Sequence, residues 1–210
     1  MFEKKNQNCS RQCTLFLIFS LLCLCFTPIL AGQAKGEDSP QAVFKTAQEA
    51  AAKKDFGALA ELVAPSQQPM LAFSMDMGVS MFVEFYEGEK AEELKKKYQK
   101  IQKKYKIKEE DEDEGEKLQI TQDTPQEVID EHMKKRAKKL YGHVDVAKYV
   151  PELMEVILHM PEMKEQTFFP EEKLADVKID GNNASGKAGE KTIFFIKEGG
   201  RWYLTADVMD

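Results

Sequence analysis

The sequence predicts an α+β domain, with N-terminal helices packed on a C-terminal antiparallel curved sheet and a helical arm in the middle. Between residues 39 and 160 the apolar residues recur three and four positions apart, which is the spacing of amphipathic helices. From Lys173 they recur two positions apart, and turn sequences such as Asp-Gly-Asn-Asn at 180–183 separate the runs. Helices followed by a run of strands are typical of the α+β class.

Residues 1–31 are predicted to form a secretory signal peptide. A basic start precedes an apolar stretch at 14–27, and small residues follow from Ala31 to Ala34. We therefore expect an exported protein, periplasmic or extracellular, that is cleaved after one of these two alanines. The alternative is a membrane anchor in which residues 14–31 stay uncleaved, because the apolar stretch approaches the length that spans a bilayer. All four cysteines lie in this segment, so the exported chain is expected to be free of disulfides.

The rest of the chain is predicted to be a linker at 32–38 and a single α+β domain at 39–210. Its formal net charge of −6, counted over the whole sequence, argues against a nucleic-acid partner, since neutralising phosphates requires a basic surface. The sequence contains no Gly-rich phosphate loop and no cysteine beyond residue 31, so we expect no cofactor. The oligomeric state is left open.

The first three predicted helices begin at local signals. Ser39, followed by a proline, begins the first helix, and Asp55 caps a short second one. The third helix runs from Met70 to about Tyr86. It is so rich in Met, Phe and Val that we expect most of its surface to be covered.

The segment 89–123 is predicted to be a charged helical arm followed by an acidic loop. A narrow apolar stripe runs along the arm among many lysines, and it consists of Leu94, Tyr98, Ile101 and Tyr105. We expect Tyr98 and Tyr105 to anchor a contact with another protein or a second copy, because aromatic residues often carry interface energy. The alternative is that this helix packs against its own domain.

Two more helices precede the strands. Thr124 and Glu127 form the pattern of a capping box for a helix that ends at Gly142. Asp145 begins a second helical stretch, which runs to Met160. Alternation then predicts a meander of strands, and the run 192–196 is apolar on both faces, as expected for a central strand.

Both ends of the domain resemble a known superfamily. Pro-Gln-Ala-Val-Phe at 40–44 opens a helix that a Lys-Asp break at 54–55 separates from a short helix. Gly-Gly-Arg-Trp-Tyr-Leu at 199–204 ends the strands. These segments resemble exported members of the cystatin-like cone superfamily, which is named after nuclear transport factor two. The resemblance implies a bent sheet around the helices and a cone-shaped pocket, whereas the middle region 89–165 departs from the family pattern.

Asp76 is the candidate catalytic residue, because it is the only charge between Met70 and Val83. The resemblance implies an isomerase- or dehydratase-like enzyme in which this carboxylate is the general base, while Tyr86 or Tyr141 polarises a carbonyl. The alternative follows from helical offsets. Ser80, Glu84 and Glu87 lie four, eight and eleven positions beyond Asp76, so all four residues can form one polar stripe that faces water.

His159, Met160 and Met163 are a candidate metal site, because imidazole and thioether groups suit Cu(I) in oxidising compartments. The alternative is core packing, since Met160 continues an apolar helix face. For function we therefore expect a non-catalytic exported domain that binds a small apolar ligand or a protein partner. The enzyme that uses Asp76 is kept as the alternative.

Overall fold

A computed structural model describes residues 35–107, 121, 124–159, 163 and 167–206. Six helices come before a four-stranded antiparallel sheet in this part of the chain, which confirms the α+β class. The helices are α1 Pro40–Ala52, α2 Phe56–Glu61, α3 Gln68–Phe85, α4 Ala91–Tyr105, α5 Gln126–Tyr141 and α6 Val146–Ile157. The strands are β1 Ala175–Asp180, β2 Asn183–Ala188, β3 Lys191–Glu198 and β4 Arg201–Leu204.

Local capping explains where the first helices begin. The Ser39 side chain accepts a hydrogen bond from the Ala42 amide at 3.1 Å, and Pro40 occupies the first turn of α1. Asp55 Oδ1 accepts a bond from the Ala58 amide at 3.0 Å and so caps α2. Both helix starts confirm the predictions.

The predicted capping box of α5 is wrong. Thr124 Oγ1 accepts a hydrogen bond from the Thr121 amide at 2.9 Å, and α5 begins at Gln126 without a side-chain cap. The threonine therefore closes a turn before the helix, which is a common competing use of this side chain. The following helix, α6, ends at Ile157, before the predicted Met160, which lies outside the described residues.

The sheet has the strand order β1-β2-β3-β4. Its inner face carries Ala184, Ile193, Phe195, Trp202 and Leu204, all buried. The prediction that the run 192–196 forms a central strand is confirmed, since β3 pairs with both β2 and β4. Its outward face is partly open, and the ring of Phe194 is 48% exposed. Ile179, on edge strand β1 beside a β-bulge, is 59% exposed.

Backbone segments outside the sheet cover the free edge of β4. Glu37 and Trp202 exchange two backbone hydrogen bonds of 2.9 and 2.7 Å, and Leu204 bonds to the Leu62 carbonyl at 2.8 Å. Residues 35–38, which lie in the predicted linker, therefore continue the sheet. Covering an edge in this way removes a site of unwanted strand pairing.

The helices form a bundle next to the sheet. Helix α1 packs on β4, while α3 has its main contacts with α4, α5 and α6. Within the described residues no helix is long and apolar enough to cross a membrane.

Helix α4, the predicted arm, packs on its own domain. Leu94 and Ile101 on its apolar stripe are buried against the bundle, and α4 contacts both α3 and α6. This is the alternative that the sequence left open. The acidic run at 109–114 lies outside the described residues.

Candidate functional site

The Asp76 carboxylate lies in the interior of the helix bundle, where the residue is 7% exposed. The interpretation that Asp76 faces water with Ser80, Glu84 and Glu87 is therefore wrong for Asp76. Glu84 and Glu87 are exposed and Ser80 is half-buried. The offsets along one helix miss this result because the partners of Asp76 come from three other helices.

Four side chains donate hydrogen bonds to the Asp76 carboxylate. Oδ1 accepts from the Tyr149 hydroxyl at 2.6 Å, from the Tyr98 hydroxyl at 3.2 Å and from the Gln102 amide. Oδ2 accepts from the Tyr141 hydroxyl at 2.6 Å. We call these five residues the Asp76 cluster. It joins α3 to α4 through Tyr98 and Gln102, to α5 through Tyr141, and to α6 through Tyr149.

A second set of contacts fixes the phenols of the cluster in place. The Gln102 amide also donates to the Tyr149 oxygen at 3.1 Å. The rings of Tyr105 and Tyr149 meet edge to face with centroids 4.8 Å apart, and Tyr141 meets Phe73 in the same way at 6.0 Å. Edge-to-face contacts of this kind restrict how the rings can turn.

The phenols around Asp76 are held in their neutral form. Burial, together with the charge of Asp76 and the hydrogen bond to it, raises the pKa of Tyr149 far above the usual value of 10. Burial and then the hydrogen bond to Asp76 raise the pKa of Tyr141 in the same direction. Burial and a 2.9 Å hydrogen bond to Glu152 raise the pKa of Tyr105. Neutral phenols are hydrogen-bond donors, so the Asp76 carboxylate keeps its partners over the whole physiological range of pH.

This geometry limits what Asp76 can do chemically. A carboxylate has about four acceptor positions, and four donors from the protein already bind it. A general base must have an oxygen within hydrogen-bond reach of the substrate proton. Three of these bonds go to Oδ1 and one goes to Oδ2, so the acceptor position that the protein leaves open is on Oδ2, beside the Tyr141 hydroxyl.

The structure brings together some of the predicted site residues. Tyr98 and Tyr141 donate to Asp76, while Tyr105 packs on the Tyr149 ring and bonds Glu152. Tyr86 instead packs against Phe82 near the end of α3.

The sequence reasoning missed Gln102 and Tyr149. A signal for Tyr149 was present, since it lies on the apolar face of α6 and a buried phenol needs a partner. Gln102 follows Tyr98 by four positions, so the two side chains lie on the same face of α4. Asp76, the only charge between Met70 and Val83 in α3, was the natural acceptor for both.

Two members of the predicted metal site, His159 and Met163, lie among the described residues, and both come after the end of α6. His159 Nδ1 donates to the Glu155 carbonyl at 2.7 Å, which is a local contact at the end of α6. Met160 lies outside the described residues, and Met163 is half-buried. Among the described residues no group of three or more His, Cys, Asp and Glu side chains could hold a metal ion.

The opposite side of α3 is exposed and apolar. Met77, Met81 and Phe85 follow one another at intervals of four and are 46%, 55% and 74% exposed, with Gly78 between them. We call these four residues the α3 outer face. Most of α3 is covered, as the sequence predicts, but the described part of the chain leaves this face open.

No family model, curated protein or solved structure matches this chain. The resemblance to the cystatin-like cone superfamily therefore stays a prediction.

Proposed function

We propose that this chain is an exported, non-catalytic binding domain that binds a protein partner through the α3 outer face. The observation that carries the proposal is the division of α3 into two sides. Its inner side is fixed by the Asp76 cluster, and its outer side presents Met77, Met81 and Phe85 to solvent. The N-terminal pattern of basic, apolar and small residues supports export.

The inner side supports a structural role for Asp76. Each of the three helices around α3 provides at least one donor to the carboxylate, so the cluster fixes how these helices pack. Buried polar groups that are fully hydrogen-bonded favour one arrangement of a core over others, because any other arrangement leaves a donor unpaired. In this proposal the Asp76 cluster stabilises the fold, and the partner binds at the protein surface.

The outer side supports a binding role. Single exposed apolar side chains are ordinary, but neighbouring ones on one helix face form a continuous patch. Covering apolar surface releases about 25 cal/mol per Å². Methionine side chains suit such a surface, because they are flexible and polarisable and adapt to the shape of a partner.

The shape of the surface favours a protein over a small ligand. A small apolar molecule binds in a concave pocket that covers most of its surface. The α3 outer face is one side of a helix, which is convex and has Gly78 open to solvent. A second helix or a sheet can cover such a face, as happens in helix-in-groove recognition.

The enzyme alternative has one observation in its favour. Asp76 is buried, and the Tyr141 hydroxyl lies 2.6 Å from Oδ2, so the acid and the phenol that an isomerase would use are adjacent. In the binding proposal the same contact is structural. The stability of Asp76→Asn relative to the parent separates the two roles.

The binding proposal is tested by the size of the protein in a fresh extract of the cells that make it. We expect the parent chain to elute in size-exclusion chromatography at a larger apparent mass than that of its own monomer. Met81→Glu places a charge on the α3 outer face and should shift the protein to the monomer position. The matched control is Phe194→Glu on the outer face of the sheet, which should leave the size of the complex unchanged. Monomeric parent protein, or equal shifts in both variants, would contradict the proposal.

A further inference from the structure

We propose that the partner of the α3 outer face is a second copy of this chain, bound so that the two α3 helices are antiparallel. This inference rests on the proposed function and names the occupant of the same surface. Two observations support it. One is the distribution of charge along the helices beside α3, and the other is the environment of Gly78.

The two helices beside α3 both run antiparallel to it. Helix α4 follows α3 after a short connection, and Asp76 near the middle of α3 bonds Tyr98 and Gln102 in the middle and later part of α4. Tyr141, the last residue of α5, contacts Phe73 and Asp76 in the first half of α3. Since α3 and α5 pack extensively, the rest of α5 must run along the second half of α3.

This arrangement gives the surface around α3 an acidic end and a basic end. Helix α5 begins with the exposed acids Glu127, Asp130 and Glu131 and ends with the exposed bases Lys138 and Lys139. Helix α4 also begins with acids and ends with bases, but Lys95 and Lys96 follow its acids directly and Lys104 pairs with Glu152. Because both helices are antiparallel to α3, the acids of α5 lie toward the C-terminal end of α3 and its bases toward the N-terminal end. Exposed Glu84 adds to the acidic end.

A second copy of this chain has the same acidic end and basic end, so it can complement this surface without a different partner. A twofold axis across α3 places the acidic end of one copy against the basic end of the other, and the same surface is used on both sides. A parallel arrangement would place like charges together, which opposes association. The charge pattern therefore selects the antiparallel dimer.

Gly78 indicates that another backbone approaches α3 closely. A Cβ added at Gly78 would meet nothing within 4 Å, so the described fold does not require glycine there. Glycine inside a helix is destabilising relative to alanine. Ser74, one turn earlier, is also small and only half-buried. Small residues one turn apart let two helices come close, while Met77, Met81 and Phe85 pack beside the contact.

The first test uses sedimentation equilibrium of the purified full chain and of Gly78→Leu. The new side chain fits the open space of the monomer, and leucine is a better helix former than glycine, so the fold should be kept. We expect the parent chain to form a dimer and Gly78→Leu to raise the dimer dissociation constant about 30-fold, as loss of a central contact does. If the chains associate only through non-specific apolar contact, Gly78→Leu should instead lower the dissociation constant, because leucine adds apolar surface. An unchanged or lower dissociation constant would overturn the inference.

The second test measures the orientation of the two helices. A twofold axis between Gly78 and Met81 places Ser74 opposite Phe85 of the other copy. In chains whose four native cysteines are replaced by serine, Ser74→Cys and Phe85→Cys proteins should form a disulfide when mixed and little when kept apart. Disulfides that form equally well in the separate samples would indicate a parallel pair and overturn the inference.

The two proposals fail in different ways. A purified chain that stays monomeric, while the complex in the extract still depends on Met81, would overturn self-association and leave the binding function standing. A chain that is monomeric both in the extract and after purification would overturn both. Association that is equal in the parent and in Gly78→Leu would place the contact elsewhere and overturn the inference.

Discussion

Replacing Asp76 by asparagine separates a structural carboxylate from a catalytic one. The substitution keeps the size of the side chain but removes the charge and turns one acceptor oxygen into a donor. In the structure, both oxygens of Asp76 accept only. Asparagine therefore leaves at least one buried donor without its acceptor, which is either the Tyr141 hydroxyl or one of the three groups that bond Oδ1.

The size of the effect follows from these contacts. A hydrogen bond to a charged group contributes about 1.5–3 kcal/mol, a neutral one contributes about 1 kcal/mol, and a buried donor without an acceptor costs about 1–3 kcal/mol. Four weakened bonds and one mismatch, offset in part by no longer burying a charge, give a net loss of roughly 3 kcal/mol. In a domain of this size that lowers Tm by roughly 6–12 °C.

The assay is urea unfolding followed by the fluorescence of Trp202, the only tryptophan, which is buried in β4. Circular dichroism of the helices gives a second probe, and the two transitions should coincide if unfolding is two-state. Glu84→Gln is the matched control, because it neutralises an exposed carboxylate on the same helix and should change stability by less than about 0.5 kcal/mol.

The opposite result would refute the structural role. Residues kept for catalysis are often costly to the fold, so their replacement leaves stability unchanged or raises it. If Asp76→Asn is as stable as the parent or more stable, the carboxylate is not there to hold the helices. The isomerase- or dehydratase-like alternative would then gain support.

Three further predictions concern other parts of the chain. Folding raises the pKa of Tyr149, so the phenol ionises in the unfolded chain from about pH 10 but stays neutral in the folded chain. The free energy of unfolding should therefore fall as the pH rises above that value. Tyr149→Phe should make this fall less steep in urea unfolding at pH 9 to 11, and an unchanged slope would contradict the assignment. Gly78→Ala should stabilise the dilute monomer by about 1 kcal/mol, since nothing obstructs the new methyl group, and a loss of stability would show a contact at that position. N-terminal sequencing of the exported protein should begin at Gly32 or Lys35, whereas an intact Met1 would favour the anchor.

The sequence predicts features that depend on neighbouring residues. Ser39 and Asp55 cap their helices because the capping bond lies within three residues of the cap. Thr124 shows the limit of this reasoning, since its hydroxyl has two nearby backbone amides to choose from and bonds Thr121. The α+β class followed from the change of apolar spacing at Lys173.

Features that depend on other elements could not be predicted in this way. Asp76 looked exposed because its offsets to Glu84 and Glu87 describe one helix only, and its donors lie 22 to 73 residues away in the chain. Met81 looked buried because an apolar side chain does not reveal whether anything covers it. In the described part of the chain nothing covers the α3 outer face, so a cover would have to come from another molecule.

The most direct test of the binding surface is the rate at which Met77 and Met81 are oxidised in the cells that make the protein. Both side chains are about half exposed in the isolated chain, and methionine oxidation follows exposure. The rates are compared with those of dilute purified protein given the same dose of oxidant, and buried Met154 gives the rate of a protected methionine. If a partner covers the α3 outer face, Met77 and Met81 are oxidised several-fold more slowly in the cells than in dilute solution. Equal rates in the two settings would contradict the account.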